Sequence, residues 1–480
     1  MERAEDPHNK SKESKSVVDL FGRQVRIATF LHACVEGGVF FLLMLLATGM
    51  SEQSLSPFAL NPMVPAALFS CMLVAVNGVL GVYQPGKQAL NGESALRSLT
   101  ALIIGCAAAY GVFRLLPDGE LYQTAIGWTT ILGVIAVVTF RKPILSSISR
   151  AVTGWLSHRV LVLGTGAGAL EVDRTLAAMS GSGIKLIGFY PVSASEPVLV
   201  AGNRVLSTKA AVEEIVRTYR VDQVIVAVKE QRGGVLPLRQ LLDCRLQGVK
   251  VTDLPGFIES IRGAVPIESL KASWLIYGEG FRIGRTRLIV KRLFDLIASA
   301  AMLAVMSPVI LVTALAIYCE SGGPIIFRQE RVGRGGQSFW LLKFRSMRTD
   351  AEKDGTPQWA SPNDPRVTGV GRIIRKVRID ELPQLFNVLK GEMSFVGPRP
   401  ERPFFVSQLT ESIPFYGARH SVNPGVTGWA QVRASYGASE EDSKLKLEYD
   451  LYYVKHQTLW LDIVVLAETV RVVLFGEGAR

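Results

Sequence analysis

The chain has 480 residues, 48% hydrophobic and 20% charged, which excludes a disordered chain poor in apolar residues and rich in charge. The five cysteines, Cys34, Cys71, Cys106, Cys244 and Cys319, are scattered and odd in number, so neither a metal spacing nor a disulfide framework is expected. The formal net charge of +11 directs attention to nucleic acid, an anionic membrane face or a phosphate-rich substrate.

A polar, basic leader over residues 1–27 precedes four apolar stretches at 28–47, 63–83, 99–116 and 121–140. Each is about as long as a bilayer-spanning helix, which needs roughly 17–25 residues. The leader carries Lys10, Lys12, Lys15, Arg23 and Arg26. The second loop carries Lys87 and Arg97, and Arg141, Lys142, Arg150 and Arg159 follow the fourth stretch. The first and third loops hold Glu52, Asp118 and Glu120 and no Lys or Arg. Basic residues mark the cytoplasmic side, so region 28–142 reads as a membrane α-helical bundle of four spans, running in–out–in–out–in. Everything after it begins in the cytoplasm.

The pattern changes at residues 155–260. A buried-strand run from Arg159 ends at Gly164, and the turn Gly164-Thr165-Gly166-Ala167-Gly168-Ala169 opens a helical stretch to Met179. Strands are predicted at 184–190 and 221–228. Strands alternating with helices give a parallel, nucleotide-fold-like α/β domain. The glycine turn resembles a dinucleotide fingerprint, which seats a pyrophosphate at a helix N-terminus. The acidic residue that would hold a ribose is missing, because the second strand ends at Tyr190-Pro191. A sensor or structural role is therefore expected rather than redox chemistry.

A linker over 261–286 leads to a second kind of membrane segment, the apolar run 293–318. Lys291 and Arg292 precede it; Arg328, Arg331, Arg334, Lys343, Arg345 and Arg348 follow it. Both flanks are basic, so both should face the cytoplasm. Within the run, Pro308 removes a backbone hydrogen bond and frees the carbonyl of Ala304, which a serine hydroxyl can take up. Ser307-Pro308 is therefore expected to break a re-entrant helix over 291–319 that enters and leaves by one face. A kinked ordinary span is the alternative.

The final third, mainly α, carries the chemistry. One basic cluster spans residues 328–348, with Trp340 and Phe344 interleaved. A second holds Arg366, Arg372, Arg375, Lys376 and Arg378 with no acid between them. Asp380-Glu381 follows directly. Asp380 is expected to N-cap a helix with Pro383 in its first turn and Gly391 at its end. Two carboxylates among cations make either a good cap or a phosphate site. In the second case the cations and the helix end gather phosphates, one carboxylate binds a divalent metal, and the other stays ionised as a nucleophile. In Pro398-Arg399-Pro400-Glu401-Arg402 the prolines restrict the backbone, holding a guanidinium ready for bidentate phosphate binding. Residues 459–475 read as an amphipathic helix, and His420 and His456 lack metal-ligand partners at suitable spacing.

Seven motifs occur in order: Lys291-Arg292-Leu293-Phe294-Asp295, Ser307-Pro308, Phe327-Arg328-Gln329-Glu330-Arg331-Val332-Gly333, Lys343-Phe344-Arg345-Ser346-Met347, Asp380-Glu381-Leu382-Pro383-Gln384, Gly397-Pro398-Arg399-Pro400 and Asn423-Pro424-Gly425-Val426-Thr427-Gly428-Trp429. Together they resemble the monotopic phosphoglycosyl transferases over residues 287–480. The spans and the nucleotide-like domain resemble long-form members of the undecaprenyl-phosphate glucose or galactose phosphotransferase type. The resemblance implies that Asp380 attacks the β-phosphate of a UDP-sugar, releases UMP, and passes hexose-1-phosphate to undecaprenyl phosphate. Glu381 is the implied Mg²⁺ contact. Lys343, Arg345, Arg375, Arg378, Arg399 and Arg402 are the expected substrate-binding residues. Arg378 is a departure, since family members often carry a small hydroxyl residue there. The implied setting is the cytoplasmic face of a bacterial inner membrane, among membrane lipids, at the first membrane step of exopolysaccharide, O-antigen or capsule assembly. No nucleic acid is expected, and a homodimer is compatible with the long form. Two rivals remain. An NAD-dependent sugar-nucleotide epimerase or dehydratase needs a Tyr-x-x-x-Lys pair that nothing after Gly164 supplies in its expected setting. A non-enzymatic assembly scaffold leaves the cations around Asp380-Glu381 unexplained.

Overall fold

The computed structural model describes residues 17–20, 23–49, 61–80, 82, 93–114, 122–135, 139, 158–178, 184–193, 196–207, 210–228, 236–267, 284–349, 364–434, 437 and 439–475. The chain divides into two units, Met1–Ile261 and Arg262–Arg480.

The first unit opens with a short antiparallel pair, β1 (Val17–Leu20) and β2 (Arg23–Arg26). Four apolar helices follow: α1 (Ile27–Gly49), α2 (Met63–Val79), α3 (Glu93–Phe113) and α4 (122–135). They share a core of Phe40, Met44, Phe69, Leu73, Leu102 and Tyr122, with Phe113 set edge-on to Tyr122 at 5.9 Å. Their outer faces are apolar too: Leu46 and Ile103 are 61% and 65% exposed. Helices apolar all round suit a lipid surround. Four full-length spans are not what the described residues show. Only Phe30–Gly49 here, and one helix of the second unit, are long and apolar enough to cross a membrane. Met63–Val79 and Ser98–Phe113 are shorter. The apolar run read at 63–83 outlasts its helix, because the last helical turn closes at Leu80. At 1.5 Å per residue its 17 helical residues reach about 26 Å, short of a hydrocarbon core of roughly 30 Å.

The α/β part holds β3 (His158–Leu163), α5 (Ala167–Ala178), β4 (Ile184–Tyr190), α6 (Val212–Tyr219), β5 (Gln223–Val226), α7 (Leu238–Leu246), β6 (Lys250–Asp253) and α8 (Leu254–Arg262). The sheet order is β4-β3-β5-β6, all parallel, as the alternation of strands and helices predicts. The short polar β6 (Lys250-Val251-Thr252-Asp253) has no apolar signature and is visible only by its pairing with β5. In the glycine turn Gly164 sits at φ +115°, and a Cβ on Gly168 would strike the carbonyl of Ala227. The Gly166 amide, where the fingerprint would seat a phosphate, donates instead to Glu196 Oε1 at 3.0 Å.

The second unit contains α9 (Arg285–Ser321), the antiparallel hairpin β7 (Ile326–Val332) and β8 (Ser338–Phe344), α10 (Gly369–Lys376), α11 (Gln384–Lys390) and β9 (Ser394–Val396). It continues through α12 (Pro403–Ser412), β10 (Gly425–Thr427), α13 (Trp429–Arg433), α14 (Glu440–His456) and α15 (Leu459–Phe475). Strands β9 and β10 pair in parallel. A Ser439–Asp442 capping box starts α14. The core gathers Phe395, Trp429, Leu447, Leu451 and Tyr453, and Val265 joins it. Gly263 O accepts from Trp429 Nε1 at 2.7 Å, and Val265 N donates to Glu448 O at 3.0 Å. The first residues of the expected linker are thus part of this unit's core.

Helix α9 runs unbroken through Ser307-Pro308 for 37 residues, so the expected helix–break–helix is one continuous helix. The local chemistry is the expected one: Ser307 Oγ donates to Ala304 O at 2.8 Å, serving the carbonyl that Pro308 cannot. With that group satisfied, one missing bond does not end the helix. At its base Lys291 Nζ meets the fully buried Asp462 at 2.7 Å, and Arg292 donates to Val388 O and Leu389 O at 2.6 and 2.7 Å. The basic pair that reads as a membrane flank also bolts the helix to the body.

Candidate active site

The Asp380-Glu381 pair lies in a 3₁₀ turn, Ile379–Glu381, not in the first turn of a helix. Arg378 takes a left-handed φ of 60° and turns the chain after α10. Pro383, lacking an N–H, caps α11, so the α-helix starts at Gln384. Gly391 ends α11 in a left-handed conformation, φ 91°, as expected.

Asp380 is buried and its Oδ1 has no hydrogen-bond partner. Burial raises its pKa and the neighbouring Glu381 raises it further, against the pull of Lys343, Arg378 and Arg375. Desolvation outweighs these cations, so the pKa lies above the ordinary aspartate value rather than below it. Burial also raises Glu381, but there the cations win. Lys343 Nζ and Arg378 Nη1 each lie 3.5 Å from Glu381 Oε1 and Arg399 Nη2 lies at 3.2 Å, holding the carboxyl down at about 2. Lys343 itself is lowered by burial, with Glu381 opposing.

A cavity of about 980 Å³ opens beside the pair. Six of the eight residues singled out from sequence line it: Lys343, Arg345, Arg375, Asp380, Arg399 and Arg402. Glu381 and Arg378 are not in its wall; Glu381 meets both Arg378 and Arg399. Arg345 has a second task. Its Nη2 donates to Ser321 Oγ, Ser321 O and Gly322 O at 2.5, 3.0 and 2.6 Å, satisfying the C-terminal end of α9. Its Nη1 is buried with no hydrogen-bond partner.

Among the wall residues not singled out from sequence as site residues, three stand apart. Arg331, half-buried and lowered to about 10 by desolvation, grips Pro400 O at 3.0 Å and Glu401 Oε2 at 3.4 Å. It lies in the first basic cluster, but nothing local separates it from solvated arginines. Phe405 and Lys446 come from α12 and α14, and no signal in the chain links them to Asp380.

The arrangement suits a diphosphate: a buried carboxylate with an unpartnered oxygen, walled by cations. Among the described residues no three His, Cys, Asp or Glu side chains group to hold a metal by themselves. A magnesium ion needs only one or two carboxylates when water and substrate phosphates fill its shell. The hard carboxylate oxygens of Glu381 fit that donor set, which leaves the orphaned Asp380 Oδ1 for attack.

Residues 286–476 match the family model described as bacterial sugar transferase. The chain is 44% identical to the UDP-N-acetylgalactosamine-undecaprenyl-phosphate N-acetylgalactosaminephosphotransferase of Aeromonas hydrophila, over 54% of this chain and 61% of that protein, less than two thirds of its length. It is 32% identical to the undecaprenyl-phosphate glucose phosphotransferase of Komagataeibacter xylinus, over 76% of this chain and 68% of that one. Identity is 30% to the UDP-glucose:undecaprenyl-phosphate glucose-1-phosphate transferase of Xanthomonas campestris pv. campestris, over 90% of this chain and 91% of its relative.

Proposed function

The chain belongs to the bacterial sugar transferase family, and from that premise we propose that it transfers hexose-1-phosphate from a UDP-sugar to undecaprenyl phosphate. The observation that carries this reading is Asp380: a buried carboxylate oxygen without a partner, in a cation-lined cavity. Asp380 attacks the β-phosphorus of the donor. The bond to the bridging oxygen breaks and UMP leaves, with the phosphosugar held on the aspartyl oxygen. An oxygen of the acceptor phosphate then displaces the aspartate, giving the lipid diphosphosugar. Lys343, Arg375, Arg399 and Arg402 bind and orient the diphosphate, and they offset the charge that develops during transfer. Mg²⁺ held by Glu381 would supply Lewis-acid polarisation of the phosphoryl oxygens.

The test is covalent. Donor labelled in the sugar, incubated without acceptor, should leave phosphosugar on Asp380, and undecaprenyl phosphate should discharge it. A requirement for both substrates together, with no trapped adduct, would exclude this route. UMP release then sets UDP-N-acetylgalactosamine against UDP-glucose, the sugars for which the relatives are named.

The topology belongs to the same proposal: four N-terminal helices across the bilayer, the shorter ones accommodated by local thinning, a re-entrant α9 over 291–319, and a catalytic body on the cytoplasmic face of the bacterial inner membrane. Two facts support it. Basic residues flank α9 at both ends. Pro308 lies inside the apolar part of the helix, where a turn back to the same face would be made.

A further inference from the structure

Arg399 lines the cavity and donates to Glu381 Oε1 at 3.2 Å, so the placement of its backbone decides where its charge lies. All four carbonyls of the loop that carries it are engaged. Pro398 O accepts from Gly425 N at 2.9 Å and Glu401 O from Val332 N at 2.9 Å, amides at the ends of β10 and β7. The middle two are held by arginine side chains: Arg399 O by Arg419 Nη2 at 2.9 Å, and Pro400 O by Arg331 Nη1 at 3.0 Å.

Arg331 is itself in the cavity wall; Arg419 is not. Arg419 is 5% exposed. Its Nε donates to Asp450 Oδ2 at 2.9 Å, and its Nη1 donates to Tyr416 Oη at 2.7 Å. Asp450 comes from α14 and is 1% exposed. A fully buried ion pair is a costly way to fill a core, since apolar side chains of similar volume often stabilise as well or better. What this pair adds is direction: two bonds fix one guanidinium, and its Nη2 reaches the backbone of Arg399.

We propose that Arg419, oriented by Asp450 and Tyr416, is a positioning residue that fixes the main chain of Arg399 and so aims its guanidinium at Glu381 and the donor diphosphate. The gain is pre-organisation: the charge is in place before the phosphoryl group moves. This rests on the reading that Arg399 binds the donor.

A double-mutant cycle on the full chain tests it. Arg419→Lys keeps a positive charge beside Asp450, but one ammonium cannot span Asp450, Tyr416 and the Arg399 carbonyl together. With Arg399 present, kcat/KM for the UDP-sugar should fall about tenfold. In an Arg399→Ala background the same change should cost less than about twofold, because nothing remains to be aimed. A purely structural role would cost the same in both backgrounds. Should Arg419→Lys fail to fold, Tyr416→Phe, which removes one partner of Arg419, enters the same cycle with an expected loss of about threefold. Equal losses in the two backgrounds, or no loss with Arg399 present, overturn the proposal and leave the donor reading standing. A wild-type kcat/KM for Arg399→Ala alone overturns the donor reading and this inference with it.

Discussion

Asp380 and Glu381 are neighbours in sequence with opposite electrostatics, and each makes its own prediction. Folding raises the pKa of Asp380, so its ionised form costs stability at neutral pH, where the unfolded chain carries the same charge freely. Asp380→Asn should therefore abolish turnover while raising the thermal midpoint at pH 7, and the gain should vanish near pH 3. A midpoint that falls at pH 7 would show that the carboxylate is stabilised by partners after all. Glu381 is the reverse case. Its depressed pKa contributes stability that is complete above its ordinary value of 4.5 and lost as pH falls towards about 2. Glu381→Gln should lower stability at pH 7, and its residual turnover should respond to added Mg²⁺. Catalysis needs Asp380 ionised, so the rate of adduct formation should rise with pH through its raised pKa. Arg375 lowers that pKa, so Arg375→Gln should move the acid limb to higher pH. A limb unchanged by that substitution would separate Arg375 from the nucleophile.

Among the elements, α9 carries the most consequence. The serine–proline pair and its use of the Ala304 carbonyl are legible from the five residues 304–308, because the rule is local stereochemistry. Its anchoring is not, since Lys291 finds Asp462, 171 residues away, only through the fold. Lys291→Met leaves a buried carboxylate without its cation and should cost about 3–5 kcal/mol by thermal or denaturant unfolding in detergent. Adding Asp462→Asn should recover much of it; a double variant as unstable as the single would mean that Lys291 acts through something other than charge. Pro308→Leu restores the missing backbone bond and should straighten α9. If both ends of α9 lie on the cytoplasmic side, cysteines near residues 290 and 325 are shielded from an impermeant reagent in intact cells, and Pro308→Leu exposes one of them. Labelling of the second site in the parent chain would sink the re-entrant reading.

At the scale of the molecule, the two units imply separable stability. A chain begun at Arg262 keeps Gly263 and Val265 in the core of the second unit; one begun near Gly280 loses both. Removing a buried valine and the acceptor of a buried Trp429 N–H should cost about 2–4 kcal/mol, read as a lower unfolding midpoint of the shorter form. Equal midpoints would show that 262–279 is a linker throughout. In the full chain, NAD(H) should leave turnover unchanged, since the fingerprint amide of Gly166 is already taken by Glu196.

The order of the parts, the parallel α/β alternation and the charged runs that supply six residues of the cavity wall were legible in the chain. These are set by hydrophobic period, charge runs and local backbone rules, which act over a few neighbouring residues. Which cations meet which carboxylate depends on packing, and so does the outcome that the pKa of Glu381 is lowered while that of Asp380 is raised. Packing also decided that Arg331, Phe405 and Lys446 share the wall, and that Arg419 holds the loop of Arg399. Burial and long-range ion pairing belong to the packed molecule, where removal from water and the distance between remote groups are set together.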